Sequence, residues 1–255
     1  MVAWAAGGND GSDYTSEMTD GIQVAGVDVA AGRWVAVVLV SRCLDRVLTA
    51  ETLDEIVAHV PAAVAVAVDI PIGLPEGGDD WPRPADLEAR RRLRGRTSSV
   101  FLSPPWPILG CPTYPAALAL HRQITGKGLS RQAWNLCERI READRLAARD
   151  ERVVEVHPEL SFASIAAGSA LPTTGLPYPK KTWNGQQMRR QLLEGAGIQM
   201  PDHLDGSPGL VAVDDLLDAA AAAWTALRFA SGSAHAIGEL AANRRPNRHA
   251  GRIWV

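Results

Sequence analysis

Val64-Ala65-Val66-Ala67-Val68 runs without a polar side chain and stops at Asp69. A strand covered on one face alternates polar and apolar residues. One that is apolar throughout needs cover on both faces, as a central parallel strand has between layers of helices. The run therefore commits residues 62–70 to the middle of a layered α/β arrangement. Ahead of it, residues 22–28 read as a buried strand, Ala30-Ala31-Gly32 as a turn, and residues 33–40 as a second strand rich in Val. Residues 44–50 read as a third strand. The short connections make these antiparallel neighbours. Thr52, with Glu55 three residues on, caps a short helix over 53–60. The resulting β-β-β-α-β order predicts a mixed α/β sheet.

From Pro71 the composition changes. Pro71-Ile72-Gly73-Leu74-Pro75 is a rigid turn, since each proline disfavours helix in the residue before it. A helix is expected over 86–94, and Pro104, Pro105 and Pro107 interrupt the stretch beyond that helix. Residues 130–148 hold the longest helical pattern, with Ser130 as N-cap and Trp134, Cys137 and Ile140 on one core-facing side. Residues 71–150 thus read as a mainly helical insertion in a single sheet domain spanning 22–255. Beyond it come a strand over 152–157, a short helix from Pro158, and a proline-rich loop over 171–181. Helices over 181–196 and 214–228 and a short strand over 252–255 complete the chain. Residues 1–21 are rich in Gly, Asp, Ser and Thr, lack the basic and apolar segments of a signal peptide, and predict a disordered tail.

The chain has 255 residues, and its 46% hydrophobic content suffices for one sizeable core. A net charge of −3 excludes a molecule that is basic overall, so any nucleic-acid contact requires a local basic patch. Cys43, Cys111 and Cys137 form no CxxC pair. That argues against a zinc site or a disulfide framework and for a reducing cytoplasm. The apolar stretch 219–223 is too short to span a membrane.

The candidate chemistry lies in four acidic clusters at element ends. Asp28 and Asp69 each end an apolar strand, where α/β sheets present ligands. If the two strands are adjacent and parallel, both carboxylates emerge at one edge. Glu155, His157 and Glu159 share a parity around Pro158, and Asp214, Asp215 and Asp218 open an Ala-rich helix. Each has a structural reading when taken alone: a turn aspartate, a satisfied buried histidine, a glutamate in a first helical turn, a capped helix start. Asp218 fits that reading less well, because Leu217 and residues 219–223 around it are core-like. Gathered together, such carboxylates repel one another unless a cation sits among them.

Basic residues form a second constellation. Arg83, Asp86 and Arg90 fall at i, i+3 and i+7, and Arg91, Arg92, Arg94, Arg96 and Thr97-Ser98-Ser99 come after them. Guanidinium groups suit phosphate, and a salt-bridged helix surface is the structural alternative. Lys180, Lys181 and Arg189 either add phosphate contacts or pair with the acids. Trp81 and Trp106 in loops either stack bases or pack, with packing favoured. There is no GxxxxGK[ST], no GxGxxG opening a helix, and no GxSxG.

A set of motifs from about residue 22 onward resembles the family called domain of unknown function 429. They are Gly26-Val27-Asp28; Asp69-Ile70-Pro71-Ile72-Gly73-Leu74-Pro75; Arg83 with Asp86 and Arg90; Ser99-Val100-Phe101 before Pro104; 155–162 from Glu155 to Phe162; Lys181 with Gly185 and Arg189; and 214–219. The resemblance implies a ribonuclease H-like α/β fold, a mixed five-stranded sheet flanked by helices, and predicted nuclease activity. It also implies that acids on the first strand, the fourth strand and a late helix hold divalent cations. By position these are Asp28, Asp69 and the 214–218 group, with Glu155 or Glu159 as the further acid.

The first expectation is therefore a metal-dependent phosphodiesterase using Mg²⁺ or Mn²⁺. Asp28 and Asp69 are its direct ligands, Glu155, Asp214 and Asp218 complete the shell, and His157 and Glu159 lie close to the chemistry. Arg83, Arg90, Arg94, Arg96, Lys181 and Arg189 would hold substrate, a nucleic acid. A second expectation is a hydrolase or phosphotransferase for a small phosphorylated metabolite, which the negative net charge favours over a long polyanion. A third is a non-catalytic binding scaffold whose acids pair with Arg and Lys.

Overall fold

The computed structural model describes residues 21–238 and 248–255; all of the expected tail except Gly21 lies outside the described residues. Strands β1 (Gln23–Ala30), β2 (Arg33–Val40) and β3 (Cys43–Ala50) form an antiparallel meander. Ala31 and Gly32 both take positive φ, 48° and 79°, which gives a two-residue hairpin the twist of its strands. Helix α1 (Leu53–His59) starts at Thr52, whose hydroxyl accepts from Glu55 N. Strand β4 (Ala65–Val68) then lies parallel to β1, and β5 (Val153–Glu155) parallel to β4. The sheet order is β3-β2-β1-β4-β5, a mixed α/β fold as expected.

Six further α-helices come next among the described residues: α2 (Pro84–Arg92), α3 (Tyr114–Thr125), α4 (Arg131–Ala147), α5 (Pro158–Ala166), α6 (Trp183–Gly195) and α7 (Val213–Ala230). Alternate residues of β1 serve opposite cores. Ala25 and Val27 join Trp34, Leu53 and Ile56 with Cys137, Ile140 and Ala143 of α4 on one face. Val24 joins Val35, Val37 and Leu193 with Ala219 to Ala223 of α7 on the other. The helical stretch 71–150 therefore supplies cover for the sheet through α4. Two elements escape the sequence reading. Helix α3 begins after Thr113, whose side chain accepts from Ala116 N. Strand β6 (Ala236–Ile237) pairs with β7 (Ile253–Trp254) beside α2.

The close seat of α7 on the sheet explains Gly26. A Cβ there would stand 1.9 Å from Ala223 N and 2.2 Å from Ala219 O. Gly26 and the alanine run thus form one contact, and its effect is to bring the start of α7 over the end of β1. Gly26→Ala is expected to lower stability by about 1–3 kcal/mol through overpacking, read in urea denaturation.

Candidate functional site

Val27 of β1 lies opposite Val68 of β4 in parallel register, so Asp28 and Asp69 leave the sheet side by side. Asp69 N donates to Val27 O at 2.9 Å, and Asp28 Oδ1 accepts from Val29 N at 2.6 Å. Asp218, on the second turn of α7, is 2% exposed and reaches the same place. These three acids line one cavity of about 430 Å³ with His157, Lys180 and Ser99. Acids of the first strand, the fourth strand and a late helix thus converge, as the sequence expectation requires.

What stands among them is Lys180. Its Nζ is 2.5 Å from Asp218 Oδ2 and 3.8 Å from Asp214 Oδ2. Burial would lower its pKa, but Asp218, Asp28 and Asp69 outweigh that and hold it above the ordinary lysine value. One ammonium does not neutralise the group. Burial, then Asp69 and Asp218, push Asp28 well above the usual carboxylate range. Burial also raises Asp69, with Glu159 adding to it while His157 and Lys180 oppose it. Asp218 is pushed up to about 7, again chiefly by burial. Three carboxylate oxygens, Asp218 Oδ1, Asp214 Oδ2 and Glu159 Oε2, are buried without a hydrogen-bond partner. Among the described residues, however, no three His, Cys, Asp or Glu side chains stand close enough to hold one metal ion.

The two glutamates differ in ways their sequence parity does not reveal. Glu155 takes two bonds from Arg83, both at 2.6 Å, and one from Ile72 N at 2.7 Å. Arg83 also holds Asp86, which accepts from Ser103 N at 2.7 Å. Both oxygens of Glu155, expected in a metal shell, and the guanidinium of Arg83, expected on phosphate, are engaged in this buried triad at the cavity wall. Desolvation makes a buried carboxylate take the nearest guanidinium, and here that is Arg83. Glu159 is the acid that stays with the cluster. It opens α5, accepts from Arg189 Nη2 on Oε1 at 2.5 Å, and keeps Oε2 free. His157 lies just before α5, with Nδ1 unpartnered and Nε2 3.4 Å from Ser99 O. Asp215 lines the cavity, while Asp214 turns toward Lys180 and Lys181.

Most of the arginines expected to hold substrate are engaged within the protein, by carboxylates or by backbone carbonyls. Arg189 is fully buried on Glu159 and on the carbonyls of Tyr178 and Gly185. Arg90 Nε donates to Val100 O, and Arg96 to the carbonyls of Leu176 and Pro177. Arg91 and Arg92 pair with Glu88. Only Arg94 and Lys181, of the six cations expected to hold substrate, are exposed. Trp81 donates to Ser103 O and meets the His121 ring edge-on, and Trp106 packs on the core. Both are packing residues.

The family described as "Protein of unknown function (DUF429)" matches residues 26–242. The chain belongs to this family. The DUF429 match takes in Asp28, Asp69, Glu159, Lys180 and Asp218 and the helical stretch between the strands. No match was found among the curated proteins or among the solved structures.

Proposed function

We propose that the protein is a divalent-metal-dependent phosphodiester hydrolase, a nuclease in the sense of the ribonuclease H-like resemblance, working at the Asp28–Asp69–Asp218 cavity. One observation carries the reading. Three carboxylates, those of Asp28 and Asp218 buried and that of Asp69 half-buried, share a cavity with one ammonium, and their pKa values are raised by burial first and then by neighbouring carboxylates. Hard oxygen donors suit Mg²⁺ or Mn²⁺, and the orphaned oxygens of Asp218 and Glu159 fit a missing cation. Asp28, Asp69 and Asp218 would hold it by drawing together around the space that Lys180 leaves as it swings out; the lysine side chain is one-third exposed on a flexible stem. Such an ion makes water more acidic and neutralises charge on phosphoryl oxygens. Glu159 adds charge from the side, His157 offers Nδ1 to a proton, and the displaced Lys180 meets a phosphate oxygen.

Mn²⁺ titration calorimetry on the wild type and on Asp28→Asn and Asp69→Asn tests the site. Binding is expected in the wild type and a loss of about tenfold or more in each variant. Unchanged binding in both variants refutes the assignment. Mg²⁺-dependent cleavage of a labelled single-stranded oligonucleotide and of bis-p-nitrophenyl phosphate tests the chemistry.

A small phosphorylated substrate is the second reading. The committed arginines and the modest size of the cavity, about 430 Å³, favour it over a long polyanion. It predicts that a mononucleotide ester is turned over with a kcat/KM at least equal to that of an oligonucleotide. A non-catalytic scaffold, in contrast, predicts no thermal shift with metal. Metal at a hundredfold excess over Kd should otherwise stabilise by about 2–3 kcal/mol. The three cysteines are free, which accords with our placing the protein in the cytoplasm. Among the described residues no helix is long and apolar enough to cross a membrane.

A further inference from the structure

A second cavity, of about 550 Å³, lies at the far end of α7 from the acidic cluster. Asp218 and Arg228 are ten residues apart, which is about 15 Å along a helix axis. The walls come from the last turns of α6 and α7, the segment after α5, and the β2–β3 turn. Ile165, Leu192, Ile198, Trp224 and Leu227 make the cavity apolar, and among the described residues its charged lining residues are Arg42 and Arg228.

Arg228 is the group whose surroundings are incomplete. Its Nη2 donates to Ser169 O at 3.0 Å and to Ser233 O at 2.7 Å, and its guanidinium lies 4.8 Å from the Trp224 ring centre. Helix C-termini attract cations, which explains a guanidinium capping these loop carbonyls. It does not explain Nε, which is buried and has no hydrogen-bond partner. Nor is there a carboxylate among the described residues lining the cavity. Burial lowers the pKa of Arg228, with no acid opposing it. Arg42, on the β2–β3 turn, lays its stem against the Gly197 backbone and is a second arginine lining the same cavity. Desolvating a cation without a counter-ion is unfavourable, and a cavity of this size with apolar walls is the usual shape of a small-molecule site.

We infer that this cavity binds a small amphipathic anion, with its carboxylate or phosphate head on Arg228 and Arg42 and its apolar body against Trp224, Leu192 and Ile198. The site is independent of the acidic cluster and of the chemistry proposed there. A guanidinium pairs with either head group through parallel N–H donors, and the aliphatic and indole walls accept a chain or a ring.

Calorimetry with octanoate, octyl phosphate and neutral octanamide tests the inference on the full chain. Saturable one-to-one binding is expected for at least one of the two anions, and the tighter of them identifies the head group. Octanamide should bind about tenfold or more weakly, and Arg228→Gln should lose about tenfold or more in affinity for the anion. Arg42→Gln, on an exposed turn where folding is not at stake, should lose about threefold or more. Asp69→Asn should bind the anion as the wild type does. Absence of saturable binding by both anions overturns the inference. So does equal binding of octanamide, wild-type affinity in Arg42→Gln and Arg228→Gln together, or loss of binding in Asp69→Asn.

Discussion

Arg83→Ala is expected to destabilise the protein by about 3–5 kcal/mol, because it strips the partner from two buried carboxylates at once. Arg83 is 1% exposed and pairs with both Asp86 and Glu155. Those acids in turn hold the backbone of Ser103 and Ile72. The triad therefore ties β5, the segment after Asp69, and α2 into the wall of the acidic cavity. Arg83→Lys should restore little, since one ammonium lacks the fork that serves two carboxylates. Glu155→Gln should cost less than Arg83→Ala, because Asp86 keeps its guanidinium. Urea denaturation with a constant m-value reads all three. A loss below about 1 kcal/mol for Arg83→Ala would show that the triad is not closed as described.

Asp218→Asn has the opposite expected sign and a pH signature. The carboxyl has an ordinary value of 3.8 and is pushed up to about 7 in the fold, chiefly by burial. Between these values the native state holds a proton that the unfolded chain has released. This group's contribution to stability therefore falls as pH rises from about 4 to about 7 and stays low above it. Removing the charge should stabilise the metal-free protein by about 2 kcal/mol at pH 8 and leave it nearly unchanged at pH 4.5. Lys180 retains Asp28, Asp69 and Asp214 as partners in the variant. Mn²⁺ affinity should fall in the same variant, so stability and binding move in opposite directions. That is the behaviour of a group kept for function against its folding cost. Thermal melts across pH 4.5–8 decide it: destabilisation at pH 8 larger than at pH 4.5 would refute the assignment.

The parts of the fold that were legible are those where local pattern and tertiary demand agree. The unbroken run before Asp69 implied cover on both faces, and α4 and α7 provide it. Thr52 and Ser130 cap the helices their positions implied. Helix α3 was hidden because three prolines shortly before it suggested a long irregular stretch. Strand β7 falls within the short strand expected over 252–255, but its partner β6 is two residues long and draws its stability from packing beside α2, which leaves no periodicity to read. In the site, Asp28 and Asp69 could be placed because strand ends have fixed positions in an α/β sheet, and the 214–218 group because the family resemblance implies an acid on a late helix.

The sequence by itself thus determined that Asp28 and Asp69 each end an apolar strand of a mixed sheet and would share one edge if those strands paired in parallel, and the structure supplies that pairing. It determined too that Asp218 would have to answer for its place in an alanine-packed helix. Only the tertiary structure decided which charges meet. Glu155 and Glu159 share a parity and a neighbourhood in sequence, yet Arg83 withdraws the first into a buried triad and Arg189 leaves the second with one free oxygen. Lys180 and Lys181 are adjacent in sequence, yet the first enters the acidic cavity and the second is exposed. Guanidinium and ammonium groups reach several bonds from the backbone, and burial makes each seek whatever anion the fold brings within range. That choice is written in distances between elements, which local spacing does not record.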